Sequence, residues 1–487
     1  MGGEVIIGID VGTTSVKAAA IGLDGRVHDE FSATYPTRRS GQNYVEQDPR
    51  DWTRLVEQAL SQFAGHQALA IGLCSQVNTH VFVDERGEAL LPAILWQDGR
   101  AGAVAAKLDM RVPERQKTEW WGAPTPVHAS HAIARMEWVA QHRPEIWART
   151  RYVLLPKDYC IWHLTGEVSS DPISNIGLVG ADLDYIGGVL ALVPGAAERV
   201  APLVGLTEIA GRFREGPFAG CPLVTGTMDA WAGLIGAGAV GEGAAAYLSG
   251  TSENLGITSR RVAPVTGSIV FPEYRGLRVH AAPTQSGGDA KRWFAEMSGI
   301  SMDEMSALVA ASPRRSATPL FMPQLEGERA PVWDADLRAA FLGVSRQTAL
   351  PDFARAVYEG VALSARHALG LLQASIGSPV AMMTCGGGGF RSASWTQIRA
   401  DVLGIPLRTL TAKEPGVLGA AILAGIGAGL FAGFAEAHDA MTRTDRVYEP
   451  DASMRELYDD LFGIYTEAIV ANALLGKRLS GLGQLPG

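Results

Sequence analysis

Clustered basic residues are missing from this chain. Its 42 lysines and arginines stand against 51 aspartates and glutamates, for a formal net charge of -9. A surface that tracks a phosphate backbone needs grouped Lys and Arg, so nucleic acid is not an expected partner. Cysteine is scarce too. Cys74, Cys160, Cys221 and Cys385 are far apart, with no Cys-x-x-Cys pair and no histidine at zinc-ligand spacing. Reduced, buried thiols in a cytoplasmic protein are the expectation. The first residues show no basic stretch followed by an apolar signal core. The run Gly416 to Ala437, "GVLGAAILAGIGAGLFAGFAEA", approaches the length that a bilayer needs. It is mostly Gly and Ala, without aromatic belts or flanking basic loops, so it reads as a buried helix packed through its glycines, and no membrane partner is expected. No GxxxxGK[ST] phosphate loop occurs, and no HRD or DFG set of a protein kinase.

What is present is ample apolar material. With 487 residues, 47% apolar and 19% charged, the chain predicts two or three well-packed domains. "EVIIGIDV", "SVKAAAIG" and "GRVHDEFSATY" are strand-like runs joined by short turns, which predicts a three-strand antiparallel meander. Asp48 then caps a helix that Pro49 begins, with Trp52, Leu55, Val56, Ala59, Leu60 and Phe63 as its buried stripe. "ALAIGLCSQ" and "HVFVDERGEALLPAILW" read as further strands. Strands alternating with helices argue for an α/β layer fold.

The first turn carries chemistry. Gly12-Thr13-Thr14 offers unobstructed backbone N–H groups and two hydroxyls, a donor cluster suited to phosphate oxygens. Asp10 just before it would repel phosphate unless a cation lay between them, so Asp10 is a candidate magnesium anchor. A strand, a Gly250-Thr251-Ser252 turn and a strand recur in "AAAYLSGTSENLGIT". Two related turns so far apart predict a duplicated α/β domain with a boundary near residue 245. Two facing turns could clamp one triphosphate, whereas either alone could be a plain hairpin. A third Gly-rich stretch, "TCGGGGFRSASW", would let backbone approach a nucleotide, or serve as a tight strand-to-helix connection. Asp229, in "GTMDAW", stands where a helix begins, as a cap or as a rigidly held carboxylate base.

These pieces, with "EQDPRDW", "AILWQDGR", "KDYCIWHLTGE", "GTMDAWAGLIGAG", "GERAP", "EPGVLGAAILA" and "AAFLGVSRQTALPDFARAVYEG", run in order along nearly the whole chain and resemble the FGGY carbohydrate kinases of the sugar kinase, Hsp70 and actin superfamily. One signature region, "SHAIARMEWVAQH", departs from the family pattern: Arg135 replaces Lys, and Ala132 replaces Pro, Ser or Thr. The resemblance implies two duplicated actin-like (ribonuclease H-like) domains flanking a deep catalytic cleft. Residues 1–245 would bind sugar and 246–487 ATP. Asp229 would be the general base and Asp10 would hold Mg2+ with ATP. Thr13 and Thr14 would line the γ-phosphate, and Gly250, Thr251 and Ser252 would form the second phosphate loop. Gly387, Gly388 and Ser392 would border the α-phosphate and adenosine. Dimers are common in the family, which makes a homodimer an expectation by analogy.

For the acceptor, the resemblance points to "CSQVNTHVFVD". Xylulose kinases usually read Gln-Met-His there and glycerol kinases Gln-Arg-Glu, whereas this chain reads Gln76-Val77-Asn78. The missing Arg-Glu pair counts against glycerol, and Asn78 can both donate and accept as a histidine would. Trp96 can stack on a sugar face. Asp98 accepts from sugar hydroxyls or only pairs with Arg100. Gln285 is a further acceptor candidate, and His80 reads as a satisfied structural histidine. Xylulose is the first acceptor expected, followed by ribulose and other ketoses or polyols such as glycerol and erythritol. An actin- or Hsp70-like ATPase would share the phosphate turns but lack the sugar-side motifs.

Overall fold

The first strand, β1 (Glu4–Val11), is apolar on both faces, as a central strand must be. Val5, Ile7 and Ile9 point to one face and join Trp52, Leu55, Val56 and Leu60 in a core. Gly8 points to the other. β2 (Ser15–Ile21) and β3 (Val27–Thr34) complete the predicted antiparallel meander. Helix α1 (Pro49–Gln62) begins as expected: Asp48 accepts from the Arg50 N–H at 3.0 Å, and the whole predicted stripe is buried. β4 (Gln67–Ser75) lies parallel to β1.

The computed structural model describes residues 3–41, 43–263 and 265–482, in two units. In the first unit, β5 (Ile209–Arg212) and β6 (Pro222–Met228) finish a six-stranded sheet of order β5-β6-β4-β1-β2-β3. Helices α2 (Ala132–His142), α3 (Pro156–Thr165) and α4 (Asp229–Gly236) belong to the same unit. "HVFVDERGEALLPAILW" yields only Val81–Val83 and Ala93–Ile94, which pair with Tyr152–Leu154 and Tyr44–Gln47 outside the main sheet.

The second unit repeats the plan. β7 (Ala245–Ser249), β8 (Glu253–Thr258), β9 (Ile269–Val270), β10 (Val279–Pro283), β11 (Met383–Gly386), β12 (Leu407–Leu410) and β13 (Thr444–Tyr448) form a seven-stranded sheet of order β9-β10-β8-β7-β11-β12-β13. β7, β8, β10, β11 and β12 take the places of β1, β2, β3, β4 and β6, with the same parallel and antiparallel pairings. The duplication expected from the two turns is therefore present in the sheets. Helices α5 (Gly288–Ser298), α6 (Leu350–Ile376) and α7 (Ala393–Leu403) cover this sheet with a second core.

The division of the chain differs from a single break at 245. The first unit ends at Gly236 and regains Pro415–Thr442, while the second takes Ala237–Glu414 and Arg443 onward. The cause is α8 (Pro415–Gly427), the apolar helix read from the Gly/Ala run, which is buried against β1, β4 and α4. Its glycines allow that approach. A Cβ added to Gly419 would lie 1.8 Å from the Ala232 carbonyl oxygen. Cβ atoms on Gly8, Gly72 and Gly236 would meet the carbonyl oxygens of Val417, Ala420 and Pro415 at 2.0, 2.2 and 2.0 Å. Among the described residues no helix is long and apolar enough to cross a membrane, and all four cysteines are free and buried.

Backbone cannot move aside as a side-chain tip can, so even a methyl group should be costly at this crossing. Gly419→Ala is expected to lower the apparent midpoint of thermal unfolding by roughly 5 °C or more. An unchanged midpoint would mean that α4 and α8 separate freely.

Candidate active site

Register brings the first unit's candidates together. Asp10 pairs with Cys74 across β1 and β4, and Ser75 with Met228 across β4 and β6. The residues that follow, Gln76 and Asp229, therefore leave the same sheet edge as Asp10. Carboxyl ends of parallel strands are where open α/β sheets place ligands.

Asp229 is the first residue of α4, and its carboxylate accepts from the Ala230 N–H at 2.7 Å. Burial, and then the neighbouring Asp10 carboxylate, push its pKa up to about 7. Gly416, in the first turn of α8, sits so near that a Cβ there would come within 2.9 Å of Asp10 Oδ2. Two mutually repelling carboxylates with only oxygen donors suit a hard divalent cation. No group of three or more His, Cys, Asp or Glu occurs among the described residues to hold a metal alone. Mg2+ accompanying a nucleotide fits the chemistry of this donor set.

The Gly12-Thr13-Thr14 turn is braced from behind. The Tyr35 hydroxyl donates to the Gly12 carbonyl, and Gln47 Nε2 donates to the Thr13 carbonyl at 2.7 Å. Burial, reinforced by Asp10, raises the Tyr35 pKa and keeps the hydroxyl protonated for that bond. Trp96 Nε1 donates to Thr13 Oγ1 at 3.1 Å, which leaves the threonine proton for an anion. Trp96 is 39% exposed. Gln76 donates to Gln47 Oε1 at 3.0 Å and accepts from Thr79 Oγ1 at 3.2 Å. Thr79 Oγ1 in turn accepts from the Trp96 N–H at 3.2 Å. Thr13, Gln76 and Trp96 thus share one network.

Asn78 adopts a left-handed conformation, φ 52°, which asparagine tolerates better than most side chains. Its carbonyl accepts from Arg135, which is fully buried and also donates to the Ile94 and Leu95 carbonyls and to His80 Nδ1. Burial lowers the Arg135 pKa to about 9 and drives His80 well below its ordinary value. His80 is the satisfied structural histidine expected. Arg135 and Gln47 were not foreseen as site residues. Their signals were the departure from the family pattern and the "EQDP" motif.

One expectation narrows. Asp98 is buried, with its carboxylate taken up by Arg100 at 2.7 and 2.8 Å and by the Val45 N–H at 2.6 Å. It is the ion-pair partner of Arg100, the alternative its sequence neighbour offered. Gln285 belongs to the second unit, where its backbone N–H donates to Glu328 at 2.5 Å. Behind the first unit's site, the buried Lys157 pairs with Asp158 at 2.5 Å and Asp171 at 2.9 Å. Its N–H binds Ser75 Oγ, and Asp171 accepts from Thr227, so the ends of β4 and β6 are tied together.

In the second unit, Gly250, Thr251 and Ser252 join β7 to β8 just as Gly12 to Thr14 join β1 to β2. Ser252 Oγ accepts from Arg329 at 3.1 Å. Gly387 follows β11 with φ 96°, a conformation that favours glycine, and a Cβ there would strike the Ser249 carbonyl oxygen at 2.4 Å. Ser392 caps α7 by accepting from the Trp395 N–H at 3.4 Å.

Two α/β sheets of corresponding strand order, each with a Gly-Thr-(Thr/Ser) turn joining its first two strands, match the duplicated actin-like plan that the sequence resembles. The chain belongs to the FGGY family of carbohydrate kinases: the N-terminal domain of that family matches residues 5–236 and the C-terminal domain residues 245–428. A xylulose kinase of Staphylococcus epidermidis is 29% identical over 491 residues, covering 96% of both chains. A ligand-bound xylulose kinase from Lactobacillus acidophilus superimposes with a TM-score of 0.87 over 98% of this chain and 100% of that one, at 23% identity. A glycerol kinase from Plasmodium falciparum gives 0.85 over 96% and 99%, at 19% identity. The fold is that of the actin-like ATPases, and it does not by itself choose the acceptor. The protein is an ATP-dependent carbohydrate kinase that uses Mg2+.

Burying the Asp229 carboxylate, and doing so beside Asp10, has a cost in stability. Asp229 holds its proton more tightly folded than unfolded, so stability falls as pH rises from about 4 to about 7, and the full penalty stands above that range. Asp229→Asn is expected to raise Tm by roughly 3 °C at pH 8 in Mg2+-free buffer, a gain that shrinks toward pH 4. Equal gains at both pH values would mean that the Asp229 carboxyl is not held above the ordinary carboxylate range.

Proposed function

We propose that this enzyme phosphorylates a pentulose, xylulose first, with Asp229 as the general base. The observation that carries the reading is a carboxylate fixed at the start of α4, beside Asp10 and at the sheet edge that carries Gln76 and Asn78. The raised Asp229 pKa suits a group that must accept a proton near neutral pH. The acceptor hydroxyl passes its proton to an Asp229 carboxylate oxygen as its own oxygen bonds to the γ-phosphorus. The bond from that phosphorus to the β,γ-bridging oxygen breaks, and ADP leaves. When bound, Mg2+ would neutralise charge on the phosphates, and Asp10 would anchor it.

Thr13 and Thr14 line the γ-phosphate in this reading. Gly250, Thr251 and Ser252 hold the phosphate chain, and Gly387, Gly388 and Ser392 border the α-phosphate and adenosine. The first unit takes the sugar, through Gln76, Asn78 and Trp96, and the second takes ATP. The Trp96–Thr13 bond supports this assignment, because it joins an acceptor residue to a phosphate residue. The xylulose kinase names of the relatives favour that acceptor, and Gln76-Val77-Asn78 lacks the charged pair usual for glycerol. The reading carries the cytoplasm as compartment, which four free, buried thiols favour. A homodimer rests on family analogy.

A coupled ADP-release assay tests the acceptor, using xylulose, ribulose, pentitols, glycerol and erythritol. Xylulose should give the highest kcat/KM, and a clear preference for another compound would replace it. Asp229→Ala should lower kcat on the preferred acceptor by roughly 10³-fold while Mg-ATP still binds. Near-parental turnover would remove Asp229 from the base role.

A further inference from the structure

The second unit contains a charge pair that the phosphoryl transfer does not use. Arg399, on α7, and Glu253, the first residue of β8, are both fully buried. A buried pair usually adds little net stability over an apolar substitute of similar size, so stability alone does not account for it. Its placement does. Arg399 Nη2 donates to Glu253 Oε1 at 2.9 Å and to Ser249 Oγ at 2.8 Å. Nη1 donates to the Gly389 carbonyl at 3.0 Å. Ser249 Oγ completes the ring by donating to Glu253 at 2.8 Å. Glu253 and Ser249 bracket the Gly250-Thr251-Ser252 turn, and Gly389 belongs to the Gly-rich stretch after β11. One guanidinium therefore bonds to both loops.

The contact between the loops is tight. A Cβ on Gly389 would fall 1.8 Å from Ser249 Oγ, and the Gly387 position is equally closed by the Ser249 carbonyl. The guanidinium is held in place by rings: its central carbon lies 3.7 Å from the Trp395 ring centre, 4.6 Å from Phe390 and 5.4 Å from Tyr247. Planarity and a fixed fork of donors let arginine span both loops, which a lysine ammonium on a single nitrogen does not do.

We propose that Arg399, paired with Glu253, is a positioning residue for the nucleotide: it locks the phosphate turn 250–252 to the 387–389 loop so that ATP meets both already in register. Ordering two separate loops at the moment of binding would subtract from affinity, and the lock removes that cost. The inference rests on the assignment of these loops to ATP.

The test is titration calorimetry of Mg-ATP without acceptor, so the identity of the sugar does not enter. Two variants are compared with the parent: Arg399→Lys, and the double variant Glu253→Gln with Arg399→Met, which leaves no buried charge unpaired. Both should bind Mg-ATP roughly tenfold more weakly, the scale of losing charge-assisted hydrogen bonds. The double variant should keep a Tm close to the parent's, which separates positioning from folding. Parental Mg-ATP affinity in either folded variant overturns the proposal. Thr251→Ala is the control for the underlying assignment. If it also binds Mg-ATP as the parent does, the loop is not a nucleotide loop and the proposal falls with it. If it weakens binding while the Arg399 variants do not, only the positioning role fails.

Discussion

The first unit depends on one close crossing. Helix α8 lies so near β1, β4 and α4 that glycine is required on both sides, at Gly8, Gly72 and Gly236 and at Gly419. Without side chains between them, backbone packs on backbone, and the spacing of the elements is set by main-chain van der Waals contact. That spacing places Gly416 against Asp10. It also fixes α4, whose first residue is Asp229. The geometry of the two carboxylates is thus inherited from a packing constraint among residues that carry no chemistry themselves.

Arginine supports the functional loops in both units, by different means. Among the described residues Arg135 makes no hydrogen bond to a carboxylate. It collects the Asn78, Ile94 and Leu95 carbonyls and so holds the segments that present Asn78 and Trp96. Arg399 has Glu253 and a cage of three rings. In each case a buried guanidinium donates to main-chain carbonyls beside the functional loops, at Asn78, Ile94 and Leu95 in the first unit and at Gly389 in the second. The 250–252 turn, flanked by Ser249 and Glu253 on Arg399, can then carry function without having to stabilise itself.

Features encoded by neighbours in sequence were legible. The β1–β3 meander, the capped α1, the two Gly-Thr turns and Asp229 at a helix start all follow from local pattern and turn chemistry. Features encoded by distant partners were not. Asp98 offered two roles to the reader, and only the contact with Val45 and the burial beside Arg100 decide between them. That Gln285 folds with the second unit is likewise set by contacts outside its own segment. The Thr13–Trp96 bond spans 83 positions, and nothing in either segment announces it. The strand-like "HVFVDERGEALLPAILW" has the right composition but no place in the main sheet, because β4 already has β1 and β6 as neighbours.

The return of α8 has a consequence for modularity. The C-terminal family domain matches residues 245–428, so it includes this helix, whereas in space the helix completes the N-terminal unit. The two halves defined by sequence are therefore not interchangeable cassettes. A chimera joining one relative's first half to another's second half would bring a foreign helix to a crossing with no tolerance for a methyl group. An isolated first half would leave Gly8 and Gly72 facing water with nothing to cover them. Recombination within this family should succeed at the surface loops and fail at the boundary that the sequence itself suggests.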